Sequence, residues 1–143
     1  MSEGNRILII DDHPLLRKGV AQLIALAPHL DMVGEASNGE QGVAMAKQLD
    51  PDLILLDLDM AGMGGIETLK AIRDADLDCR VLIFTVSDNA DDLVAAIRSG
   101  ADGYLLKDME PEDLLTAIDE ALNGRTAIDE RLNARLARAI REE

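Results

Sequence analysis

The stretch DPDLILLDLDMAG, residues 50–62, decides the fold. Its apolar run, residues 53–56, leads directly to Asp57, and a second acid, Asp59, follows two positions later. An unbroken apolar run of this kind is typical of a strand that is buried on both faces of a parallel sheet. Placing a carboxylate at the end of a buried strand costs free energy unless the carboxylate pairs with a cation or accepts hydrogen bonds. Asp57 is therefore the first candidate for a functional residue.

The rest of the chain alternates strand-like segments with stretches of helical spacing. Pro14 stands where a first helical turn tolerates proline, Asn38 with Gln41 resembles a helix-start box, and Gly100 suits a helix end. The predicted strands are residues 6–10, 32–36, 53–57, 80–85 and 103–106. Because parallel neighbours need crossover connections, this alternation predicts an α/β fold: a five-stranded parallel sheet with helices on both faces.

The composition limits the classes of protein to which the chain can belong. With 143 residues, 48% of them apolar, it suits one globular domain with a real core. The net charge of −14 opposes direct binding of nucleic acid by this chain. Cys79 is the single cysteine, which excludes a disulfide framework and fits a reducing compartment. No signal peptide or membrane span is recognisable, so we predict a cytoplasmic protein without membrane contact.

The charge balance changes after Gly124. Residues 1–124 hold 9 bases and 24 acids, whereas residues 125–143 hold 5 bases and 4 acids. The apolar residues of this tail recur at helical spacing: Leu132, Leu136, Ala139 and Ile140. The sequence therefore predicts a main domain, residues 1–124, and a C-terminal helix, residues 125–143. The apolar stripe of that helix either docks on a domain or frays in solution.

Acidic residues follow two strands that should be neighbours. Asp11 and Asp12 end the first strand, and Asp57 ends the third. In a flavodoxin-like sheet of order 2-1-3-4-5, these strands lie side by side at the switch point, where open α/β sheets bind ligands. Three converging carboxylates repel one another, and a hard divalent cation with free coordination positions removes that repulsion. We therefore predict a Mg2+ site at this edge of the sheet.

Two further polar residues close the remaining central strands. Thr85 ends the fourth strand and Lys107 ends the fifth. A carboxylate beside a cation can act as a nucleophile toward phosphorus, and phosphoryl transfer needs a fixed positive charge and hydrogen-bond donors. Capping of the next helix explains any single acid equally well, but the whole set favours phosphoryl chemistry. His13 and His29 have no partner at ligand spacing, so we interpret both as exposed polar residues.

Four segments of the chain resemble the receiver domain of two-component response regulators of the NarL/LuxR family. They are ILIIDDHPLLRKGV, VGEASNGEQG, DPDLILLDL and GADGYLLKDMEPEDLL, and together they span most of residues 6–122. The resemblance implies that Asp57 accepts a phosphoryl group. It also implies that Asp11 and Asp12, with Asp57 and the backbone carbonyl of Asp59, hold Mg2+.

The same resemblance implies a switch that reports phosphorylation. Thr85 would be the switch hydroxyl, Lys107 would contact the phosphoryl group, and Tyr104 would be the aromatic switch. The implied partners are a histidine kinase that donates the group and an output domain of the same chain or of a partner. The protein would be a signalling switch, limited to self-phosphorylation and autodephosphorylation, rather than an enzyme.

Regulators of this kind generally continue into a helix-turn-helix domain. The sequence is then either a fragment of a longer transcription factor or a stand-alone receiver. We favour the fragment, in which the tail from residue 125 begins the linker to a DNA-binding domain that is absent from this sequence. DNA would be bound only through that domain, and the output would be control of transcription. A phosphorylation-dependent homodimer fits the same scheme.

Two positions depart from the family pattern. Met60 is followed by Ala61 where such loops usually have proline, and Asp59 stands where asparagine is common. We expect the loop to be looser for lack of proline. The extra charge of Asp59 is expected to change the lifetime of the aspartyl phosphate.

Two other functions are compatible with parts of the pattern. The segment LILLDLDMA also resembles the strand-DxD signature of small haloacid dehalogenase-like phosphatases, in which Asp57 would be the nucleophile. That signature normally lies on the first strand, and it gives Asp11 and Asp12 no role. A docking domain that is never phosphorylated is the other reading, and it leaves the set of polar strand ends unexplained.

Overall fold

Strands and helices alternate along the chain in the predicted order. The computed structural model describes residues 4–141. Its strands are β1 (Asn5–Ile10), β2 (Leu30–Ala36), β3 (Leu53–Leu56), β4 (Arg80–Thr85), β5 (Gly103–Leu106) and β6 (Ala127–Ile128). Its α-helices are α1 (Pro14–Ala25), α2 (Gly39–Leu49), α3 (Gly65–Asp74), α4 (Ala90–Arg98), α5 (Pro111–Leu122) and α6 (Asn133–Arg141). Over this described range, no helix combines the length and the apolar character needed to cross a membrane.

The strands form one parallel sheet of order β2-β1-β3-β4-β5-β6. The predicted flavodoxin-like order of the first five strands is confirmed, and β6 is an addition that the sequence analysis did not predict. β1 and β3 are neighbours, with Ile10 level with Leu56. The residues that follow these two positions, Asp11 and Asp57, therefore leave the sheet side by side.

Helices cover both faces of the sheet, as predicted. On one face, Ile24 of α1 and Ile118 of α5 share a core with alternate strand residues such as Ile9. On the other face, helices α2, α3 and α4 share a second core with the intervening strand residues. Because the central strands are buried on both sides, their sequences read as continuous apolar runs rather than as alternating ones.

Local signals set the helix ends. The side chain of Asn38 accepts a hydrogen bond from Gln41 N at 2.8 Å at the start of α2. Pro14 and Pro111 occupy the first turns of α1 and α5, where the missing N–H costs nothing. Gly100 follows α4 with a φ of +107°, a conformation that glycine adopts without strain. These signals confirm the predicted helix boundaries.

The C-terminal tail differs from the single helix predicted for residues 125–143. Ala127 N donates to Asp102 O at 3.1 Å, and Asp129 N donates to Tyr104 O at 3.0 Å, which adds β6 beside β5. A short 3-10 helix, Glu130–Leu132, and α6 follow, while residues 142 and 143 lie outside the described range. The prediction of continuous helix was wrong because β5 would otherwise present unpaired backbone groups, a demand that helical spacing does not reveal.

The apolar stripe of the tail docks on the domain over its first half only. Leu132 is buried, with 1% of its surface exposed, and Leu136 packs against the same core. Ile140 is 58% exposed. Leu132 and Leu136 of the tail thus belong to the same hydrophobic core as the strands and helices before them. The domain boundary at Gly124 stays a prediction.

Candidate functional site

The acids that follow β1 and β3 converge at the carboxyl edge of the sheet. One ligand atom from each of Asp11, Asp12, His13 and Asp57 lies within 4.8 Å of the others. Asp11 and Asp57 are buried, and Asp12 is partly exposed. The structure therefore brings together the three carboxylates that the sequence placed at neighbouring strand ends.

The carboxylate of Asp57 is buried, and the nearby Lys107 ammonium compensates for only part of the cost of that burial. Its side chain is 1% exposed, and neither oxygen has a hydrogen-bond partner within the described part of the chain. Burial raises the pKa of Asp57 above its ordinary value of 3.8; the Lys107 ammonium opposes this rise and the Asp11 carboxylate adds to it. A buried carboxylate that accepts no hydrogen bond is costly, so its surroundings favour a further positively charged or electrophilic group.

Lys107 brings a fixed positive charge to the cluster. Its Nζ lies 2.8 Å from Asp11 Oδ2 and 3.3 Å from Asp57 Oδ2, and its side chain is 11% exposed. The backbone N–H of Lys107 donates to Thr85 O at 2.9 Å, so the residue leaves β5 level with the end of β4. Three carboxylates against one ammonium leave a charge of −2, which a divalent cation would balance.

The residues present fit a divalent cation. Asp11, Asp12 and Asp57 offer carboxylate oxygens close to one another, and those of Asp57 accept no hydrogen bond within residues 4–141. A small number of oxygen donors suits a hard cation that keeps several waters. The carboxylate of Asp59 is exposed and lies outside this cluster, and its backbone carbonyl remains a predicted ligand.

Close contacts hold the β3–α3 loop beside the acids. Ala61 N donates to Asp12 Oδ2 at 3.3 Å, and Met60 is buried in the core. A Cβ on Gly65 would lie 2.4 Å from the carbonyl oxygen of Asp57, so only glycine fits there. These contacts anchor the loop that the missing proline leads us to expect to be looser.

Thr85 and Tyr104 are connected through Ser87. Both are fully buried. Ser87 N donates to Thr85 Oγ1 at 3.4 Å, and the Tyr104 hydroxyl donates to Ser87 O at 2.9 Å. Burial raises the pKa of Tyr104 to about 12, so the phenol stays protonated and able to donate. The sequence analysis named both ends of this path and missed Ser87, whose contribution is a backbone carbonyl that its side chain does not signal.

Both histidines are exposed, as interpreted, but each has an acidic partner that its spacing along the chain did not indicate. His13 Nδ1 lies 2.7 Å from Asp11 Oδ1 and 3.2 Å from Asp12 Oδ1, although the ring is 60% exposed. His29 Nε2 lies 2.7 Å from Asp119 Oδ1. His13 turns back on the acids that precede it, a bend that spacing along a helix or strand does not reveal, and His29 has a partner far away in sequence.

Arg17 is another residue near the site that the sequence analysis missed. Its Nη1 donates to the backbone carbonyl of Asp11 at 2.6 Å, and its Nε lies 3.3 Å from Glu35 Oε1. Arg17 therefore ties the loop after β1 to the neighbouring strand β2. A base in the first turns of the helix that follows an acidic pair was the available signal.

Arginines of the tail contact the loops that leave the site. Arg135 Nη1 lies 3.1 Å from Asp88 Oδ2 and also donates to the Asp88 carbonyl. Arg131 pairs with Asp108 at 2.7 Å. Asp88 lies in the β4–α4 loop, residues 86–89, and Asp108 lies in the loop after β5. The tail thus touches both segments that carry the chain away from the acidic cluster.

Comparison with known proteins identifies relatives along nearly the whole chain. The family described as the response regulator receiver domain matches residues 7–119. The nitrate/nitrite response regulator protein NarL of Escherichia coli strain K12 is 57% identical over 139 residues, which cover 97% of this chain and 64% of that protein. The transcriptional regulatory protein LiaR of Bacillus subtilis strain 168 is 40% identical over 119 residues, which cover 83% of this chain and 56% of that protein.

A solved structure has the same fold. A two-component response regulator of the LuxR family from Aurantimonas sp. SI85-9A1 superimposes with a TM-score of 0.91 at 34% identity, over 99% of this chain and 100% of that chain. The chain spans less than two thirds of the length of the two sequence relatives. The phosphatase alternative finds no support in these matches. On its sequence, its sheet and the arrangement of its acids, the chain belongs to the receiver domain family of two-component response regulators, with NarL-type relatives.

Proposed function

We propose that Asp57 accepts a phosphoryl group from the phosphohistidine of a histidine kinase. The observation that carries this proposal is the buried Asp57 carboxylate, whose oxygens lack hydrogen-bond partners among residues 4–141 while Lys107 Nζ lies 3.3 Å away. Water does not stabilise the charge of a carboxylate in these surroundings. A bound cation and an electrophile would stabilise it instead. Mg2+ is the proposed cation, held by Asp11, Asp12, Asp57 and the backbone carbonyl of Asp59.

The residues of the chain have distinct parts in this transfer. An oxygen of Asp57 attacks phosphorus while the bond between phosphorus and the donor imidazole nitrogen breaks. Lys107 is close enough to Asp57 to contact an oxygen of the attached group. Bound Mg2+ supplies further positive charge beside the phosphoryl oxygens. Asp11 and Asp12 would hold that cation and balance its charge.

Thr85 is the proposed first element of the switch. A phosphoryl oxygen on Asp57 would accept a hydrogen bond from the Thr85 hydroxyl. This charge-assisted bond would be stronger than the 3.4 Å hydrogen bond that Thr85 Oγ1 accepts from Ser87 N. Movement of Thr85 would shift Ser87, whose carbonyl accepts from Tyr104. The buried ring of Tyr104 would then adjust its position, because its hydroxyl is bound to the moving loop.

We propose that the conformational change at Thr85 is transmitted to the C-terminal tail. Arg135 of α6 binds Asp88, which lies next to Ser87 in the β4–α4 loop. A shift of the loop changes the position of Asp88 and therefore weakens or strengthens its ion pair with Arg135 of α6. We expect phosphorylation of Asp57 to change how tightly α6 is held.

Control of transcription is the proposed output. The chain covers 64% of the length of NarL and 56% of that of LiaR, which is named a transcriptional regulatory protein. We propose that a helix-turn-helix domain, connected through the tail, binds DNA, since a chain of net charge −14 is poorly suited to do so itself. A phosphorylation-dependent homodimer and a cytoplasmic location stay predictions.

Incubation with acetyl phosphate and Mg2+, followed by intact-mass spectrometry, tests the proposal. The native chain should gain one phosphoryl group and Asp57→Asn should gain none, because the amide is not a nucleophile toward phosphorus. Asp31→Asn changes an exposed acid of β2 and should behave like the native chain. Labelling of Asp57→Asn, or sustained release of phosphate from small phosphomonoesters, would overturn the proposal.

A further inference from the structure

We propose that His13 is a ligand of the cation site and gives it a stronger preference for first-row transition metal ions, such as Co2+ and Ni2+, than carboxylates alone would provide. The inference rests on the proposed function, because it concerns the same cation site. It adds a nitrogen donor to a set that otherwise consists of oxygen atoms.

The imidazole of His13 faces the carboxylates. Its Nδ1 lies 2.7 Å from Asp11 Oδ1, 3.2 Å from Asp12 Oδ1 and 3.9 Å from Asp57 Oδ2. The backbone N–H of His13 donates to the same Asp11 oxygen at 2.9 Å, which fixes the loop that carries the ring. Three carboxylates and one imidazole thus present ligand atoms within 4.8 Å of one another.

Asp57 is independent support for a cation at this place. Both of its oxygens are buried without a hydrogen-bond partner in the part of the chain that the structure describes. Lys107 contacts Oδ2 of Asp11, whereas His13 contacts Oδ1. An ion bound between His13 and Asp11 therefore need not displace the ammonium.

Helix capping does not account for the position of the ring. His13 is the residue before α1, yet its side chain makes no cap hydrogen bond to the helix. In the structure Nδ1 donates to Asp11, and ligation requires the ring proton to be on Nε2 instead. Because the ring is 60% exposed, water can solvate a protonated Nε2.

A nitrogen donor distinguishes between cations. Mg2+ binds oxygen ligands and keeps much of its water, so it gains little from an imidazole. Co2+, Ni2+ and Zn2+ bind imidazole well, and their affinities for mixed nitrogen and oxygen sites exceed those of Mn2+. Removal of the ring should therefore weaken transition metal binding selectively.

The test compares Co2+ and Mg2+ binding to the tag-free chain, by isothermal titration calorimetry and by the visible absorption of bound Co2+. The variants are His13→Ala, His13→Asn and the control His29→Ala. We expect both changes at His13 to lower Co2+ affinity by at least about ten-fold and to alter the Co2+ absorption, with Mg2+ affinity changed by less than about two-fold. His29 is the other histidine of the chain and pairs with Asp119, so its replacement should change nothing.

His13→Asn separates ligation from hydrogen bonding, because the amide can still donate to Asp11 but has no imidazole nitrogen. Unchanged Co2+ affinity and absorption in His13→Ala would overturn the inference, as would an equal loss of Co2+ and Mg2+ affinity. Failure of the proposed function has a different signature: acetyl phosphate would then fail to label Asp57 in the native chain.

Discussion

The ammonium of Lys107 lies 3.3 Å from Oδ2 of Asp57, although β4 separates the two strands that these residues follow. Both residues leave the same edge of the sheet, and the long lysine side chain reaches across the end of the strand between them. The contact offsets part of the cost of burying the carboxylate. Because Lys107 contacts Oδ2 of Asp11 and Oδ2 of Asp57, the remaining carboxylate oxygens of the cluster are available to a second cation.

Lys107→Met should destabilise the fold, because the substitution leaves two buried carboxylates without their cation. We expect the free energy of unfolding at pH 7 to fall by about 1 to 3 kcal/mol in metal-free buffer. Saturating Mg2+ should restore part of the loss, since it replaces the missing positive charge. Chemical denaturation measures both effects. Lys70→Met, at an exposed position of α3, should change stability by less than about 0.5 kcal/mol, and an equal loss in this control would contradict the account.

Asp57→Asn should stabilise the metal-free fold at neutral pH. Burial raises the pKa of Asp57 above 3.8, so the native chain carries the cost of an ionised buried group at pH values above that raised pKa. We expect the variant to unfold with a free energy about 1 to 3 kcal/mol higher at pH 7. The difference should shrink as the pH falls through the raised pKa and vanish below 3.8, where the carboxyl is protonated in both states. Denaturation at several pH values tests this, and a difference that grows toward low pH would refute it.

Gly65→Ala should disturb the loop that carries Asp57. The added Cβ would lie 2.4 Å from the Asp57 carbonyl oxygen and 2.5 Å from Leu58 Cα, and both are backbone atoms that cannot yield cheaply. We expect a loss of about 2 kcal/mol or more and slower labelling by acetyl phosphate. In Gly19→Ala, inside α1, the new Cβ meets nothing within 4 Å. That variant should instead gain about 0.5 to 1 kcal/mol, and a similar loss in both variants would contradict the prediction.

Leu132→Ala should show that the first half of the tail is part of the core. Its side chain is 1% exposed, so truncation should cost about 2 to 4 kcal/mol. Ile140→Ala removes an apolar side chain of the same stripe that is 58% exposed, and it should cost less than about 0.5 kcal/mol. Equal and small effects in thermal denaturation would mean that the tail frays in solution.

The sequence predicted most of the scaffold because its signals are local. Apolar runs specified five strands, and capping residues such as Asn38 and helix-ending Gly100 specified boundaries that the structure confirms. Convergence of Asp11 and Asp57 followed from strand order alone, because neighbouring parallel strands end at the same edge.

The sequence could not predict features that depend on the path of single loops. His13 turns back on Asp11, and Ser87 acts through a backbone carbonyl, so neither contact has a sequence period. β6 has two residues and exists because β5 offers it backbone partners, a tertiary effect that overrides the helical spacing of the tail. Of these features, Ser87 also lies on the path by which the proposed signal would pass from the site to α6.

A crystal structure of the chain with Mg2+ and beryllofluoride, a mimic of the phosphoryl group, tests the central claim most directly. We expect the mimic on the carboxylate of Asp57, with Lys107 Nζ and the Thr85 hydroxyl in contact with its fluorine atoms and the cation bound by Asp11 and Asp12. A cation bound elsewhere, or a mimic absent from Asp57 at saturating concentration, would contradict the account.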